Sequence, residues 1–301
     1  MDNDRKSVRL VRETAKKMKF FWDYFGLKVQ SDEEGNSYIR ELLKSDMPFA
    51  VIRGGATELR CVAEYLKKKN FSTTIREQIH MLSGVFPPDE NLLERFCSYY
   101  MIEMRKADVL CVWGVGAESK VVHRYCKNTR LTKLRAVEPY YFENPWSENL
   151  QKKKVLVIHP FQDSILRQYE KRRQLWGNNK ILPEMKALTC IKAIQSAAGQ
   201  KSNYKTWFDA LEFMKSEINK ADFDTAIIGA GAYSLPLATH CKSIGKQAIQ
   251  MSGATQILFG IKGKRWDNKL ATARFYNDAW VRPTAEETPP KARSVEGGCY
   301  W

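Results

Sequence analysis

One pattern recurs along the 301-residue chain and constrains its fold more than any other feature: a short apolar strand, a glycine or proline turn, then a helix. It occurs in PFAVIRGG before ATELRCVAEYLKKK, in ADVLCVWGVG before AESKVVHRYCK, and in KKKVLVIHPF before QDSILRQYEKRRQLW. Two later copies are DFDTAIIGAG before AYSLPLATHCKSIG and KQAIQMSG before ATQILFGI. Apolar strands that alternate with helices are typical of a parallel sheet covered on both faces. The sequence therefore predicts an α/β fold with a Rossmann-like, mostly parallel sheet and helices on both faces.

Two further segments have helical patterns. NYKTWFDALEFMKSEINK places apolar residues on one stripe at spacings of four, three and four: Trp207, Leu211, Met214 and Ile218. PEMKALTCIKAIQSAAG begins with Pro183 and stops at Gly199, an arrangement that predicts a helix between them. Prolines, polar residues and a basic run interrupt the pattern within Glu138–Lys154, so we predict an α/β half over residues 1–150 and a Rossmann-like half over 151–301. The proline-rich C-terminal tail is expected to be irregular and to dock through its aromatic end.

The segment from Ser7 to Trp22 is basic and amphipathic. Its apolar stripe consists of Leu10, Val11, Thr14, Met18 and Phe21. Packing of this stripe onto the domain is the expected arrangement, and contact with a membrane surface is the alternative.

Basic residues outnumber acidic ones, 49 Lys and Arg against 34 Asp and Glu, which gives a formal net charge of +15. They are spread along the chain, so we expect a generally positive field that attracts anions such as nucleotides, sugar phosphates or anionic lipid. A basic surface that serves solubility is the alternative. Nucleic-acid binding is not expected, because the sequence has no zinc-finger, helix-turn-helix or RNA-recognition signature.

The apolar runs are far shorter than the ~20 residues of a membrane-spanning helix, and the charged N-terminus MDNDRKSVRLVRETAKKMKFFW lacks the apolar core of a secretory signal. The seven cysteines are dispersed, without a CxxC pair, which predicts reduced thiols in a core and no structural zinc. We therefore expect a cytoplasmic protein.

Loops that leave the carboxyl ends of parallel strands converge on one edge of the sheet, where ligands bind. Four predicted turns would line such a cleft, over residues 53–58, 113–118, 159–163 and 229–234. Glycine permits close approach of the backbone, and the amides at a helix start can receive an anion. We predict that Gly229, Ala230, Gly231 and Tyr233 contact a phosphate, while a plain strand-to-helix turn would account for the glycines equally well.

The segment GAGAYS has two glycines of a dinucleotide-binding G-x-G-x-x-G motif, but Ser234 stands in place of the third. No Asp or Glu follows the next strand, KQAIQ, to hold a ribose. The sequence therefore disfavours an NAD(P) oxidoreductase.

Two segments carry a resemblance to a known family. PFAVIRGGATEL resembles the early Arg-Phe-Gly-Asp-Gly-Glu segment of bacterial glycosyltransferases of the GT-D type, and TAIIGAGAYSLPLATHCKSIGKQAIQMSG is similar to the late strand-glycine-helix-strand unit of that fold. The resemblance implies a GT-D-like fold, a nucleotide-sugar donor and a glycan acceptor in surface-polysaccharide synthesis. The family's Asp-x-Glu motif, associated with the nucleotide-sugar and a divalent metal, falls on Ala56 and Glu58.

Because Ala56 replaces the motif Asp, the resemblance leaves two ways to neutralise the donor diphosphate. Either Glu58 holds Mn²⁺ or Mg²⁺ without a second carboxylate, or cations of the protein take the place of the metal. Arg can grip a phosphate bidentately. The cationic candidates, with the glycines beside them, are Arg53, Gly54, Gly55, Lys262, Lys264 and Arg265.

Further candidates follow the strand VLVIH. His159 could donate to a phosphate or accept a hydroxyl proton, with Asp163 to orient it, and a hydrogen-bonded loop histidine is the structural alternative. Glu58 at a helix start could be catalytic or could only favour the helix dipole. Tyr140, Tyr141 and Trp146 could stack a sugar or pack in the core.

The expected function is transfer of a sugar from a nucleotide-sugar donor to a glycan or polysaccharide acceptor, with a possible peripheral membrane contact. The alternative is a non-catalytic nucleotide- or phosphate-binding protein of the same fold.

Overall fold

A computed structural model describes residues 2–67 and 70–301, with side chains from Glu13 onward. Its strands are β1 (Val29–Gln30), β2 (Phe49–Arg53), β3 (Val109–Val112), β4 (Arg130–Lys133), β5 (Lys154–His159), β6 (Ala187–Lys192), β7 (Thr225–Ile228) and β8 (Gln247–Gln250). They form one sheet in the order β1-β4-β3-β2-β8-β7-β5-β6, and every neighbouring pair is parallel. The predicted parallel α/β fold is confirmed.

The α-helices of the described chain are α1 (Asp2–Asp23), α2 (Asp32–Lys44), α3 (Ala56–Tyr65), α4 (Thr73–Ser83), α5 (Glu90–Arg105), α6 (Glu118–Tyr125), α7 (Gln162–Glu170), α8 (Arg172–Leu175), α9 (Trp207–Lys220), α10 (Ser234–Ser243), α11 (Ala254–Leu258), α12 (Lys264–Asp267) and α13 (Leu270–Ala273). Short 3-10 turns cover Leu134–Val137, Pro139–Tyr141, Trp146–Leu150, Gly231–Tyr233 and Ala292–Ser294.

Helices cover both faces of the sheet. Alternate residues of a strand point to opposite faces, so that Ala50 and Ile52 of β2 belong to one apolar core and Phe49 and Val51 to the other. Helices α3, α4, α5, α6, α9 and α10 contribute to the first core, and α2, α7, α8 and α11 to the second. The central strands β2, β3, β7 and β8 are almost wholly buried, which is why they read as continuous apolar runs.

Strands from the two predicted halves share this sheet. Strands β1 to β4 come from residues 1–150 and β5 to β8 from residues 151–301. They meet where β2 pairs with β8, with Phe49 opposite Gln247 and Val51 opposite Ile249. This central pairing brings turns that are distant in sequence onto one edge.

The helix predicted for PEMKALTCIKAIQSAAG is wrong, because Ala187–Lys192 forms β6 at the edge of the sheet. Its less exposed residues, Leu188 and Cys190, alternate with exposed ones, a period-two pattern that suits a half-covered strand. The helical stripe predicted from Trp207 to Ile218 is confirmed, since its four residues are buried in α9.

Helix α1 forms, but its apolar stripe does not pack onto the domain as expected. Met18 and Phe21 are exposed, and the side chains of Leu10 and Val11 lie outside the described residues. The helix instead docks through Phe20, which packs against the first core, and through Tyr24, which is buried. The opposite side of the helix therefore faces solvent.

The structure also bears on the predictions about membrane-spanning helices and about the cysteines. Among residues 2–67 and 70–301, no helix is both long and apolar enough to cross a bilayer. All seven cysteines are free thiols, and only Cys190 is not fully buried.

Candidate ligand site at the carboxyl edge of the sheet

Two clefts open at the carboxyl edge of the sheet. The chain passes from β5 to β6 on one side and to β7 on the other, and such a reversal leaves a crevice outside the strand ends. A small cleft of about 120 Å³ lies there, and we call it the glycine cleft. Its polar and glycine lining includes Ser83, His159, Ser196, Gly229, Gly231, Ser252 and Gly253.

The glycine turn after β7 is shaped for close contact. A Cβ at Gly229 would lie 2.6 Å from the Ser252 carbonyl oxygen and 2.6 Å from His159 Cδ2, so only glycine fits. Gly231 has φ +56° and begins the 3-10 turn that leads into α10. The Ala230 amide donates to Ser234 Oγ at 2.7 Å. The first amides of a helical segment lack intrahelical acceptors, so the Gly231 end of this turn suits an anion.

His159 is a neutral donor in this cleft. The Phe161 amide donates to His159 Nδ1 at 3.0 Å, so the proton of the neutral ring lies on Nε2. Burial lowers the pKa of His159 to about 3. Asp163, predicted to orient the ring, is exposed, and the Phe161 amide occupies the position it would need. His159 can therefore donate to a phosphate but is badly placed to accept a hydroxyl proton.

Arg53, the last residue of β2, is linked through its contacts to residues that line each cleft. Its guanidinium stacks 4.9 Å from the Trp113 ring centroid. Its amide donates to Gln250 Oε1 at 3.1 Å, and the Gln250 amide group donates to Ser252 Oγ at 3.2 Å. Within residues 2–67 and 70–301, no carboxylate forms an ion pair with this guanidinium. Arg53 is thus a half-buried cation available to an anionic ligand.

Glu58 is buried in the first turn of α3, directly after the Gly54-Gly55 turn. Burial raises the pKa of its carboxyl group, while Ser83 and the charge of Arg53 act in the opposite direction. The side chain folds back over Gly55, where a Cβ would lie 1.9 Å from Glu58 Oε2. Ser83 connects the two glycine turns, because its carbonyl oxygen lies 3.9 Å from the Cβ position of Gly231. The turns at Gly55 and Gly231 therefore belong to the same region.

Glu118 is a second buried carboxyl group beside this turn, and the sequence analysis did not single it out. Its Oε2 accepts from the Trp113 amide at 2.9 Å, from the Gly114 amide at 2.7 Å and from the Tyr24 hydroxyl. Its Oε1 is buried without a hydrogen-bond partner among the described residues. Burial raises the pKa of this carboxyl group as well. Glu118 fixes the turn after β3 and ties α1 to it.

The second cleft is larger, about 980 Å³, and lies between α1 and the ends of β3 and β4. We call it the aromatic cleft; its lining includes Phe20, Phe21, Tyr24, Trp113, Arg135 and Glu138. Burial raises the pKa of Glu138 to about 7, although the charges of Arg53, Arg135 and Lys269 lower it. Glu138 is thus a carboxyl group able to exchange a proton near neutral pH. The only sequence signal was its place in EPYYFENPWS, which we interpreted as a boundary.

The cations predicted in GIKGKRWDN hold the C-terminal tail. Lys264 Nζ donates to the Gly297 carbonyl at 3.1 Å. Arg265 pairs with Glu296, and its guanidinium lies 4.7 Å from the Tyr300 ring centroid. Tyr300 and Trp301 in turn line the glycine cleft. Lys264 and Arg265 therefore do not line the cleft themselves but hold the tail that contributes to its lining.

The remaining predicted aromatics pack in the interior. Tyr233 lines the glycine cleft but stacks on Trp207 at 4.9 Å and shares a hydrogen bond with Ser196 at 3.0 Å. Trp146 is fully buried, and Tyr140 stacks on Trp176 at 5.7 Å. Tyr141 shares a 2.7 Å hydrogen bond with Thr272. Of the two alternatives for Tyr140, Tyr141 and Trp146, sugar stacking or core packing, the contacts correspond to core packing.

The residues around Glu58 do not fit a divalent metal. Ala56 supplies no oxygen ligand, and Glu118 Oε2 is already bonded to three donors. Burial favours the protonated form of both carboxyl groups, whereas a hard cation needs carboxylates. Across the described ranges, no group of three or more His, Cys, Asp or Glu side chains could hold a metal ion. We derive no step through a metal.

No protein-family model matches the sequence, and no curated protein matches it. One solved structure with a similar arrangement is described as "The highly conserved domain of unknown function 1792 has a distinct glycosyltransferase fold". The sequence identity is 14%, the match covers 86% of this chain and 92% of the other, and the TM-score is 0.49. At this identity and score, the likeness adds nothing to what the site itself indicates about function.

Proposed function

We propose that this protein is a glycosyltransferase that takes a sugar from a nucleotide-sugar donor and transfers it to a hydroxyl group of a glycan acceptor. The observation that carries the proposal is the position of Arg53, which has no ion pair among the described residues and is linked to the lining of both the glycine cleft and the aromatic cleft. This arrangement offers one place for a diphosphate and another for a sugar acceptor.

In the proposed complex, the donor diphosphate lies at the glycine cleft. The bond between the sugar anomeric carbon and the diphosphate oxygen breaks, and negative charge grows on the leaving diphosphate. Arg53, the Nε2–H of His159 and the Gly231 end of the turn after β7 would stabilise that charge. Fixed donors at a half-buried site are effective because they need no reorganisation when the charge develops.

The acceptor hydroxyl would enter through the aromatic cleft. Glu138 would take its proton as the new bond to the anomeric carbon forms, since a base with a pKa near 7 combines availability with proton affinity. Trp113 and Phe20 would contact the sugar rings. Glu58 would hold the donor beside Arg53.

A thermal-shift screen of UDP-, GDP- and CMP-sugars, with and without Mn²⁺, tests donor binding. A ligand at a hundredfold excess over its Kd stabilises the folded state by about 2.7 kcal/mol. Arg53→Met should weaken the response. Arg130→Met is the matched control, because Arg130 also stacks on an aromatic ring, 3.8 Å from the Tyr38 centroid, but begins β4 at the opposite edge. No stabilisation by any donor would refute the proposal.

A non-catalytic nucleotide- or phosphate-binding protein is the second candidate. The volume of the glycine cleft favours the phosphate-binding form of this candidate, because about 120 Å³ is small against the ~300–1,000 Å³ of typical ligand pockets. Assays of sugar transfer and donor hydrolysis separate the two candidates. In the enzyme, Glu138→Gln should abolish transfer and leave nucleotide binding nearly intact, because it removes the proposed base without changing the donor site. Binding without turnover of any donor would favour the second candidate.

A further inference from the structure

Helix α1 and the turn directly after it expose a group of large apolar side chains that we call the α1 ridge: Met18, Phe21, Trp22 and Phe25. Their exposed fractions are 59%, 60%, 65% and 62%. The rings of Phe21, Trp22 and Phe25 contact one another at centroid distances of 5.6 to 5.9 Å. Scattered surface apolar residues are ordinary, but a contiguous aromatic patch indicates an interaction site.

The α1 ridge is not the face by which the helix binds its own domain. At 100° per residue, Met18, Phe21 and Trp22 lie on one side of the helix axis and Phe20 on the other. In the turn after α1, Phe25 contacts Phe21 and Trp22, whereas Tyr24 is buried in the first core. Tyr24 is anchored by its hydrogen bond to the buried Glu118. The docked side thus packs against the first core. The α1 ridge is left without a packing partner among the described residues.

Basic residues flank the α1 ridge. Lys17 and Lys19 are one position before and after Met18, so they lie on either side of the apolar stripe, and Lys16 is also exposed. Asp23, the acidic residue next to these aromatic side chains, forms an ion pair with Lys19. From Arg5 to Lys19 the sequence has seven basic residues and one acidic residue, a net charge of +6.

We propose that α1 binds an anionic lipid surface, with the α1 ridge in the interfacial region and the flanking lysines at the headgroups. Aromatic side chains favour the membrane–water interface, and basic residues on the polar side of an amphipathic helix are attracted to anionic lipid. A second copy of this chain is a poorer partner, because two α1 segments of the same positive charge repel each other. The proposal does not depend on the proposed enzymatic activity.

Cosedimentation of the full chain with vesicles tests the proposal. We expect binding to vesicles of equal parts phosphatidylglycerol and phosphatidylcholine at about 0.1 M salt, and much weaker binding at about 0.5 M salt, where charges are screened. Vesicles of phosphatidylcholine alone should bind poorly, because each lysine near an anionic surface contributes roughly fivefold in affinity.

Trp22→Ser should weaken vesicle binding at least about tenfold, because it removes the largest exposed ring from the interface. Lys17→Ser with Lys19→Ser should weaken binding to anionic vesicles and reduce its salt dependence. Met47→Ser is the matched control, since Met47 is 68% exposed in the turn before β2, and it should bind like the wild type. Thermal unfolding of each variant verifies that it is folded.

Absence of vesicle binding, or binding that the Trp22 and lysine variants leave unchanged, would overturn the proposal. Sedimentation velocity without lipid tests the alternative partner, a second copy of this chain. A dimer that Trp22→Ser dissociates would assign the α1 ridge to a second copy and would also overturn it.

Discussion

Glu138→Gln gives a quantitative test of the electrostatics between the two clefts. The pKa of Glu138 is about 7 in the folded protein, against about 4.3 for an unfolded chain. Burial is the main cause, and the charge of Arg53 is the largest opposing effect. Between these two values the folded state holds a proton that the unfolded state has lost, so Glu138 makes stability fall as pH rises from about 4 to 7.

The magnitude follows from the pKa difference. One pKa unit corresponds to about 1.4 kcal/mol, and partial exposure of Glu138 to water reduces the full value to about 2 kcal/mol. Glutamine has nearly the same shape but does not titrate. Glu138→Gln should therefore gain about 2 kcal/mol relative to the wild type between pH 5 and pH 8.

Urea denaturation of the two proteins at pH 5, 6, 7 and 8 measures this difference. Arg53→Met provides a second arm, because loss of its positive charge should raise the pKa of Glu138 and move the pH-dependent range upward. Arg130→Met, at the opposite edge of the sheet, should not. A wild-type-minus-variant difference that is flat over this pH range would refute our description of Glu138.

Three other predictions concern the same edge. Glu118→Ala should destabilise the fold by at least about 3 kcal/mol in chemical denaturation, because two amides and a tyrosine hydroxyl lose their acceptor at about 1–3 kcal/mol each; a loss below about 1 kcal/mol would contradict the network. Gly229→Ala should cost about 1–3 kcal/mol in the same assay, since its Cβ would lie 2.6 Å from the Ser252 carbonyl, and wild-type stability would show that the turn is more open. His159, with its pKa lowered to about 3, should stay neutral from pH 5 to 8 in imidazole nitrogen NMR, and a titration near pH 6.5 would contradict its burial.

The sequence was most informative where local pattern and sheet geometry agree. Strand-turn-helix units require a parallel sheet, and a parallel sheet brings the strand exits to one edge, so Arg53, Glu58, His159 and Gly229 could be expected to lie at that edge. Strand β6 was missed because Pro183 and Gly199 imitate helix boundaries while the alternation of Leu188 and Cys190 is short.

The rest depends on contacts between distant parts of the chain. The charge of Arg53 acts on Glu138 because the chain after β4, with 3-10 turns at Leu134–Val137 and Pro139–Tyr141, brings Glu138 near it, which no local pattern specifies. Arg265 looked like a free phosphate ligand because its partner Tyr300 lies 35 residues later. The stripe of α1 has the same periodicity whether it faces a core or a membrane, so periodicity alone favoured packing.

A crystal structure of the protein soaked with UDP tests the central claim most directly. We expect the diphosphate at the carboxyl edge, with its oxygens within hydrogen-bond distance of the Arg53 guanidinium, His159 Nε2 and the Gly231 amide. A diphosphate bound at the amino edge of the sheet, or anywhere that leaves Arg53 and the glycine cleft without contact, would contradict it.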